Sequence, residues 1–319
     1  MTNRSFFSEQ MLRIRNLKDR LSIEVPILEQ IRFSPILAQL IVTRRCNIVC
    51  GYCNEYDKTS APVPGKILFK RIEKLHQLGT VSLEFSGGEP LLNPSIFDAV
   101  DFATRKNFLT RMMITNGYLL ESDKVKKLND AGLTHMQISI DGVNPNETTV
   151  KVLKPLRPKL ENLAKLRNFS VTINSVIGAA PSEEVEEVFN FAENMGFTPR
   201  VLVVHNEKGQ IKLKPEEIAL YQQLRERIYK SRVKKTYLDK LLAGEEAPFK
   251  CRGGSRYLYV DEFGIVHYCS QTMKEYGKPL DEFSLHDLKK NFYARHACTR
   301  FCTISCARNN SSLDEWRQQ

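Results

Sequence analysis

The sequence predicts an α/β protein: a partial (β/α)6 barrel of the TIM-like kind, open on one side, with a small cysteine-bearing domain behind it. Apolar strand-like runs alternate with amphipathic helical ones from about residue 38 to residue 205, the pattern of a parallel sheet covered by helices. The runs make six strand–helix units, too few for a closed eight-fold barrel and too many for a small flavodoxin-like sheet. No cysteine stands between Cys53 and Cys251, and the chain changes character where cysteines return.

Each element follows from its pattern. Strands are expected near 38–43, 81–86, 109–115, 135–140, 169–176 and 200–205. The helices 66–78, 94–105, 122–131, 158–166 and 182–195 place apolar residues three and four apart, which gathers them on one face. Ser182 is the expected N-cap of the last, with Glu183 and Glu184 in its first turn, where the helix dipole favours carboxylates. Ahead of the barrel, Met11, Leu12, Ile14, Leu17 and Leu21 form one apolar face of a leading helix over 8–21. Beyond it, 215–235 reads as a long charged helix and 240–250 as a connector. Residues 256–260 and 265–269 read as a β-hairpin with Gly264 in its turn. The expected divisions are a helical extension over 1–35, the barrel over 36–240 and the cysteine-bearing domain over 241–319.

Composition excludes several classes. The chain has 319 residues, 42% hydrophobic and 26% charged, with 16 Gly and 14 Pro, which is neither disordered nor collagen-like. Its longest apolar runs, such as residues 35–42, fall far short of the ~20 residues of a membrane span. The opening MTNRSFFSEQ lacks the apolar stretch of a signal peptide, so a cytoplasmic protein is expected. Eight cysteines in such a chain point away from a disulfide framework and toward metal or iron–sulfur ligation.

The front group is Cys46, Cys50 and Cys53, a C-x3-C-x2-C loop directly after the first strand. That is the strand end at which α/β barrels carry their chemistry. Buried cysteines often serve as small apolar residues, but Arg44, Arg45, Asn47 and Asn54 around these three do not describe a core. Three thiolates hold three irons of a [4Fe–4S] cluster and leave the fourth open. An open coordination position is where a metal centre binds substrate or cofactor. Zinc would need a fourth ligand, and none of the six histidines lies nearby in sequence.

At these residues the chain resembles a radical S-adenosylmethionine enzyme, Cys46, Cys50 and Cys53 matching that family's cluster motif position for position. The resemblance implies that the amino and carboxylate groups of S-adenosylmethionine bind the open iron and that reductive cleavage yields a 5′-deoxyadenosyl radical. Tyr52 matches the family's aromatic beside the adenine. Gly87-Gly88-Glu89-Pro90, closing the second strand, matches the turn that holds the cofactor's amino group. Asn116, in Thr115-Asn116-Gly117, and Ser139, in Ser139-Ile140-Asp141, resemble segments near the methionyl and ribose portions. Ser139 is the stronger of the rim contacts; Asn174, Ser175 and His205 are weaker cofactor candidates, and a polar residue satisfying local backbone is the alternative for each.

The five later cysteines, Cys251, Cys269, Cys298, Cys302 and Cys306, follow a related scheme. Cys251 and Cys269 flank the hairpin and Gly264 precedes Cys269 by four intervening residues, resembling the opening of the SPASM and Twitch auxiliary-cluster domains. Five cysteines suffice for one fully ligated second [4Fe–4S] cluster with one left over, which favours a Twitch-like domain. The C-x3-C-x3-C spacing departs from the family's usual one, so sequence does not say which two of Cys298, Cys302 and Cys306 complete the cluster. The spare cysteine is structural, an alternative ligand or a hydrogen donor. A zinc ribbon built by the tail alone is the competing reading.

Lys and Arg number 47 against 37 Asp and Glu, a net charge of +10. Lys151, Lys154, Arg157, Lys159, Lys165 and Arg167 form one basic run, and the 215–235 helix carries another. No aromatic-interleaved motif accompanies them, so nucleic acid is not expected. A solvated helix face is the ordinary explanation; a docking face for an acidic flavodoxin or ferredoxin reductant is the functional one. The resemblance implies a peptide, protein or anionic small-molecule substrate, and the 35-residue front segment shows no leader-peptide recognition domain. The reading from another class is a non-catalytic iron–sulfur or zinc protein that transfers electrons or binds a partner.

Overall fold

The computed structural model describes residues 30–53, 55–205, 211–229 and 236–314; the expected leading helix over 8–21 and the end of the 215–235 helix lie outside them. Six parallel strands form the barrel wall: β1 (Leu37–Thr43), β2 (Ser82–Gly87), β3 (Thr110–Thr115), β4 (His135–Ser139), β5 (Ser170–Ile177) and β6 (Thr198–Val203). Helices α1 (Gly65–Gln77), α2 (Ile96–Arg105), α3 (Ser122–Asp130), α4 (Leu153–Leu166) and α5 (Ser182–Asn194) return the chain between them. After β6 come α6 (Pro215–Tyr229) and α7 (Tyr237–Leu242). Strands β7 (Tyr257–Val260), β8 (Ile265–His267) and β9 (Lys278–Pro279), then α8 (Leu285–Tyr293) and α9 (Ser305–Ser312), complete the described chain.

The strand order is β6-β5-β4-β3-β2-β1-β7-β8-β9. The hairpin β7–β8 is antiparallel, as expected, yet β7 also pairs in parallel with β1, Leu37 opposite Tyr257 and Leu40 opposite Val260. The strands on either side of residue 240 therefore belong to one continuous sheet.

Strand alternation sorts side chains to two faces. Ala38, Leu40 and Val42 of β1 and Leu83 and Phe85 of β2 point outward into the main core beneath the helices. Leu37 and Ile41 point to the opposite face, where Tyr257, Tyr259, Cys251, Cys269 and Ala307 meet them. The helices form because their apolar residues fall on that outer core. In α4, Leu153, Leu156, Leu160 and Leu163 are all buried, each stabilising by about 2 kcal/mol relative to exposure.

Two helix starts differ from expectation. α4 begins at Leu153, so Pro158 sits inside it rather than opening it. Burial of Leu153 and Leu156 outweighs the hydrogen bond that Pro158 removes. Pro181, not Ser182, is the N-cap of α5, and Ser182 makes no capping bond. The acidic first turn has a different use: the Glu184 carboxylate accepts from Val143 N at 2.7 Å and Asn144 N at 3.0 Å, fastening the loop after β4. Among the described residues no helix is long and apolar enough to cross a membrane.

Candidate cluster and cofactor site

The cysteine loop leaves β1 at Thr43 and is tied down by its own backbone. Cys46 N donates to Asp57 O at 3.0 Å, Asp57 N to Arg44 O at 2.8 Å and Cys53 N to Cys50 O at 3.2 Å. Cys50 is buried, whereas Cys46 and Cys53 are half-buried. Burial pushes the Cys46 and Cys53 thiols up, and each also feels a neighbouring cysteine of the loop. Three soft thiols without an imidazole are the donor set of an iron–sulfur cluster. Among the described residues no three His, Cys, Asp or Glu side chains converge tightly enough for one ion. A cluster that gives each thiolate its own iron does not require them to.

The glycine-glycine-glutamate-proline turn lies directly against this loop. Gly88 N donates to Thr43 O at 2.8 Å and Glu89 N to Arg45 O at 2.9 Å. A Cβ on Gly88 would stand 2.3 Å from Arg45 O, and one on Gly87, whose φ is +132°, 2.1 Å from Thr43 O. Only glycine allows that approach. Glu89 is fully buried. Its Oε1 accepts from Leu91 N at 3.1 Å and Thr115 Oγ1 at 2.8 Å, and its Oε2 from Asn116 N at 2.8 Å. Burial raises its pKa, opposed by those donors.

Asn116 joins the next strand to the cysteines. Its Nδ2 donates to Asn47 Oδ1 at 2.8 Å and lies 3.7 Å from Cys46 Sγ, while its Oδ1 accepts from Tyr118 N at 3.0 Å. Ser139, the last residue of β4, is the register partner of Asn174, midway along β5. Asn174 is buried and its Oδ1 has no hydrogen-bond partner, an acceptor awaiting a donor in a site lined by strand ends. Ser175 is instead occupied locally, donating to Ile140 O at 2.7 Å. His205 forms a single bridge with Ile211 beyond β6.

Tyr52 turns its hydroxyl inward to Asp141 Oδ2 at 2.7 Å, and Lys151 donates to that hydroxyl at 3.0 Å while lying over the ring. Arg44, next to the motif, is buried and bonds Glu262 at 2.7 Å, Glu55 at 2.6 Å and Tyr259 Oη at 3.0 Å. This knot clamps the cysteine loop to the turn between β7 and β8. Sequence reasoning did not name Arg44, Glu55, Tyr259, Glu262 or Lys151 for these roles. Their partners lie up to 218 residues away, and no local pattern announces such pairs.

At the other end, Cys251 and Cys269 are buried against β1 and β7. Burial pushes the Cys251 thiol up to about 12, with Cys302, Cys269 and Cys298 adding to it. Cys302 is pushed to about 11 by burial, again with Cys298 and Cys269 adding. Burial takes Cys306 to about 12 as well, with Glu84 and then Cys269 adding to it and Arg200 opposing. Glu84 points from β2 to the inner face, is 4% exposed and leaves Oε1 without a partner. Desolvation pushes it up to about 7, opposed by Arg200. Arg200 is itself held by Gln137 Oε1 and Ser305 Oγ, each at 3.1 Å.

Four members of the basic run have partners within the chain. Lys151 is engaged with Tyr52, Arg157 pairs with Glu187 at 3.1 Å and Lys159 pairs with Glu121. Arg167 donates to the carbonyls of Phe169 and Gly196.

A model of the Radical SAM superfamily matches residues 40–201, just over half of the chain. The PqqA peptide cyclase of Gluconobacter oxydans is 30% identical over 192 residues, 58% of this chain and 52% of that protein. The GTP 3′,8-cyclase of Aliarcobacter butzleri is 33% identical over 195 residues, 56% of this chain and 59% of that one. The chain thus spans just over half the length of these curated relatives. Among solved structures, Streptococcus suis SuiB bound to S-adenosylmethionine superposes with a TM-score of 0.67 at 15% identity, covering 96% of this chain and 84% of that one. Native anSMEcpe with bound AdoMet and Cp18Cys peptide gives 0.58 at 18% identity, covering 87% of this chain and 91% of that one. These structural likenesses carry the fold, including the partial barrel. With the cysteine loop, its glycine-glycine-glutamate-proline neighbour and the family match over the same strands, the chain belongs to the radical S-adenosylmethionine superfamily.

Proposed function

We propose that the protein is a radical S-adenosylmethionine enzyme that abstracts a hydrogen atom from a peptide substrate, with an auxiliary [4Fe–4S] cluster behind the barrel. The observation that carries it is the fastening of the Cys46–Cys50–Cys53 loop to Gly88, Glu89 and Asn116 by direct hydrogen bonds. The bound cluster would supply the electron that cleaves the cofactor's sulfonium. Cys46, Cys50 and Cys53 would hold it. The Gly87–Gly88 turn and Glu89 would receive the cofactor's ammonium, and Ser139 and Asn174, with its unpartnered acceptor, would face the ribose. Tyr52 would border the adenine through its ring edge, since Lys151 lies over one face.

Cys251, Cys269, Cys298 and Cys302, whose thiols feel one another, would hold the auxiliary cluster. Cys306, which feels Glu84 more strongly than it feels any other thiol, would be the spare cysteine. The segment 241–319 would be the auxiliary domain behind a barrel over 36–240. The relatives' names favour a peptide, since one is a PqqA peptide cyclase and one solved form of SuiB is bound to the precursor peptide SuiA. The GTP 3′,8-cyclase relative supports a nucleotide as the second reading. A flavodoxin or ferredoxin would deliver electrons.

The test is anaerobic reconstitution of the full chain with iron and sulfide, then dithionite and S-adenosylmethionine. We expect 5′-deoxyadenosine from the loaded protein. A loaded protein that releases none, with or without peptide or GTP, would falsify the enzyme reading and leave a non-catalytic iron–sulfur protein. Mass spectrometry of peptide and GTP after turnover separates the two substrate classes.

A further inference from the structure

We propose that Lys151 sets the charge around the cysteine loop: its ammonium, lodged between that loop and Asp141, makes the cluster held there easier to reduce. This rests on the radical S-adenosylmethionine reading above and adds a positioning residue to it.

The placement starts in the backbone. The segment between β4 and α4 folds back over the cysteine loop, where Gly51 N donates to Thr148 O at 2.9 Å. A Cβ on Gly51 would lie only 3.1 Å from Glu147 O, so the two stretches of main chain are in contact. Lys151 is at the end of this segment, anchored where Asp141 N donates to its carbonyl at 2.8 Å. Its side chain runs back to the loop and stops at Tyr52, with Nζ 3.0 Å from Oη and 4.9 Å from the ring centre. Tyr52 is the residue directly before Cys53.

Asp141 closes the arrangement. Its Oδ2 accepts from Tyr52 Oη and from Thr149 Oγ1, both at 2.7 Å, and its Oδ1 from Val176 N at 3.3 Å. Those donors occupy the carboxylate, and it makes no ion pair with Lys151 within contact distance among the described residues. The ammonium therefore keeps its charge at the cysteine loop itself, 3.0 Å from the hydroxyl of the residue next to Cys53. Burial would drive a lone ammonium toward neutrality, but Tyr52, Asp141 and Cys50 outweigh it and hold its pKa above the ordinary lysine value. Lys58 also reaches the loop, donating to Cys46 O at 3.0 Å and Ile48 O at 2.9 Å. Lys58 is exposed, however, and water and salt screen it. Lys151 is the half-buried cation.

Reduction by one electron adds a negative charge to the cluster and its thiolates. Net charge and the groups around the ligands are levers on such a potential. A neighbouring cation stabilises the reduced form and raises the midpoint; a neighbouring carboxylate lowers it. Lys151 and Asp141 should thus act with opposite signs, which a purely mechanical brace would not do.

The experiment is a redox titration of the reconstituted full chain, following by EPR the cluster signal that changes on adding S-adenosylmethionine. Lys151→Met should shift its midpoint down, so that the reduced-to-oxidised ratio at fixed potential falls about tenfold, or 59 mV for one electron. Lys151→Arg should hold the wild-type midpoint, and Asp141→Asn should move it up. If Lys151→Met and Asp141→Asn load iron normally and both titrate as wild type, or move together, the proposal is overturned. Should Lys151→Met take up no iron, the comparison of Asp141→Asn with Lys151→Arg carries the test, and no upward shift there overturns it. Wild-type protein whose signal ignores S-adenosylmethionine would instead condemn the cofactor reading itself.

Discussion

The two cysteine groups are built on opposite plans. Cys46, Cys50 and Cys53 belong to one loop, tied to the strand end from which it springs and to the turn after β2. The later thiols come from separate pieces: Cys251 ahead of β7, Cys269 after β8, Cys298 in a short 3-10 turn and Cys302 just beyond it. The first group's three thiols come from one short stretch of chain, although that loop is braced from as far away as Glu262; the second group's thiols are themselves brought together from separate pieces around the β7–β8 hairpin.

The largest expected effect separates them directly. Cys50→Ala should lose the front cluster and all cofactor cleavage. Cys269→Ala should fall from about eight irons per chain to about four yet still release some 5′-deoxyadenosine without product. Iron analysis beside cleavage assays checks both. Loss of all cleavage in a folded Cys269→Ala protein would erase the distinction.

Gly88→Ala comes next. Its new methyl would meet the backbone oxygens of Arg45 and Arg44 at 2.3 and 2.4 Å, so the cysteine loop must shift. We expect stability to fall by about 2–4 kcal/mol and the front iron to become labile, while the rear iron stays. Chelator-release kinetics distinguishes the two pools, and equal release from both would show that the groups are not independent.

The smallest effect is a pH dependence in the region between them. The folded Glu84 pKa, about 7, lies above an ordinary unfolded value of about 4.3. Between those values the folded state binds more protons than the unfolded one, so stability falls as pH rises through this window and is constant above it. Glu84→Gln should flatten that slope, seen as a melting temperature that changes less between pH 5 and pH 8 than in wild type. An unchanged slope would place the titration elsewhere.

How much of this was legible follows the same division. The six strands and the front motif were readable because alternation, helical spacing and C-x3-C-x2-C are local facts. Pro158 misplaced the start of α4, since a proline normally marks a first turn and the sequence does not reveal that Leu153 would find a buried seat. The parallel pairing of β7 with β1 was not readable, because it depends on which edge of the barrel is left open. Lys151 was counted as part of a basic surface run. Only the fold shows that it turns inward to Tyr52, as only the fold shows Arg44 reaching Glu262.

The pairing of Leu37–Leu40 with Tyr257–Val260 also bears on how the polypeptide is made. Strand β1 emerges from the ribosome long before β7 and acquires its second hydrogen-bonded neighbour only when β7 has followed it. Until then its free edge, backed by Leu37 and Ile41, is open to any extended peptide that could pair with it. Non-local pairing of this kind slows folding. A fragment ending before β7 would retain the whole front motif and still present a sticky strand.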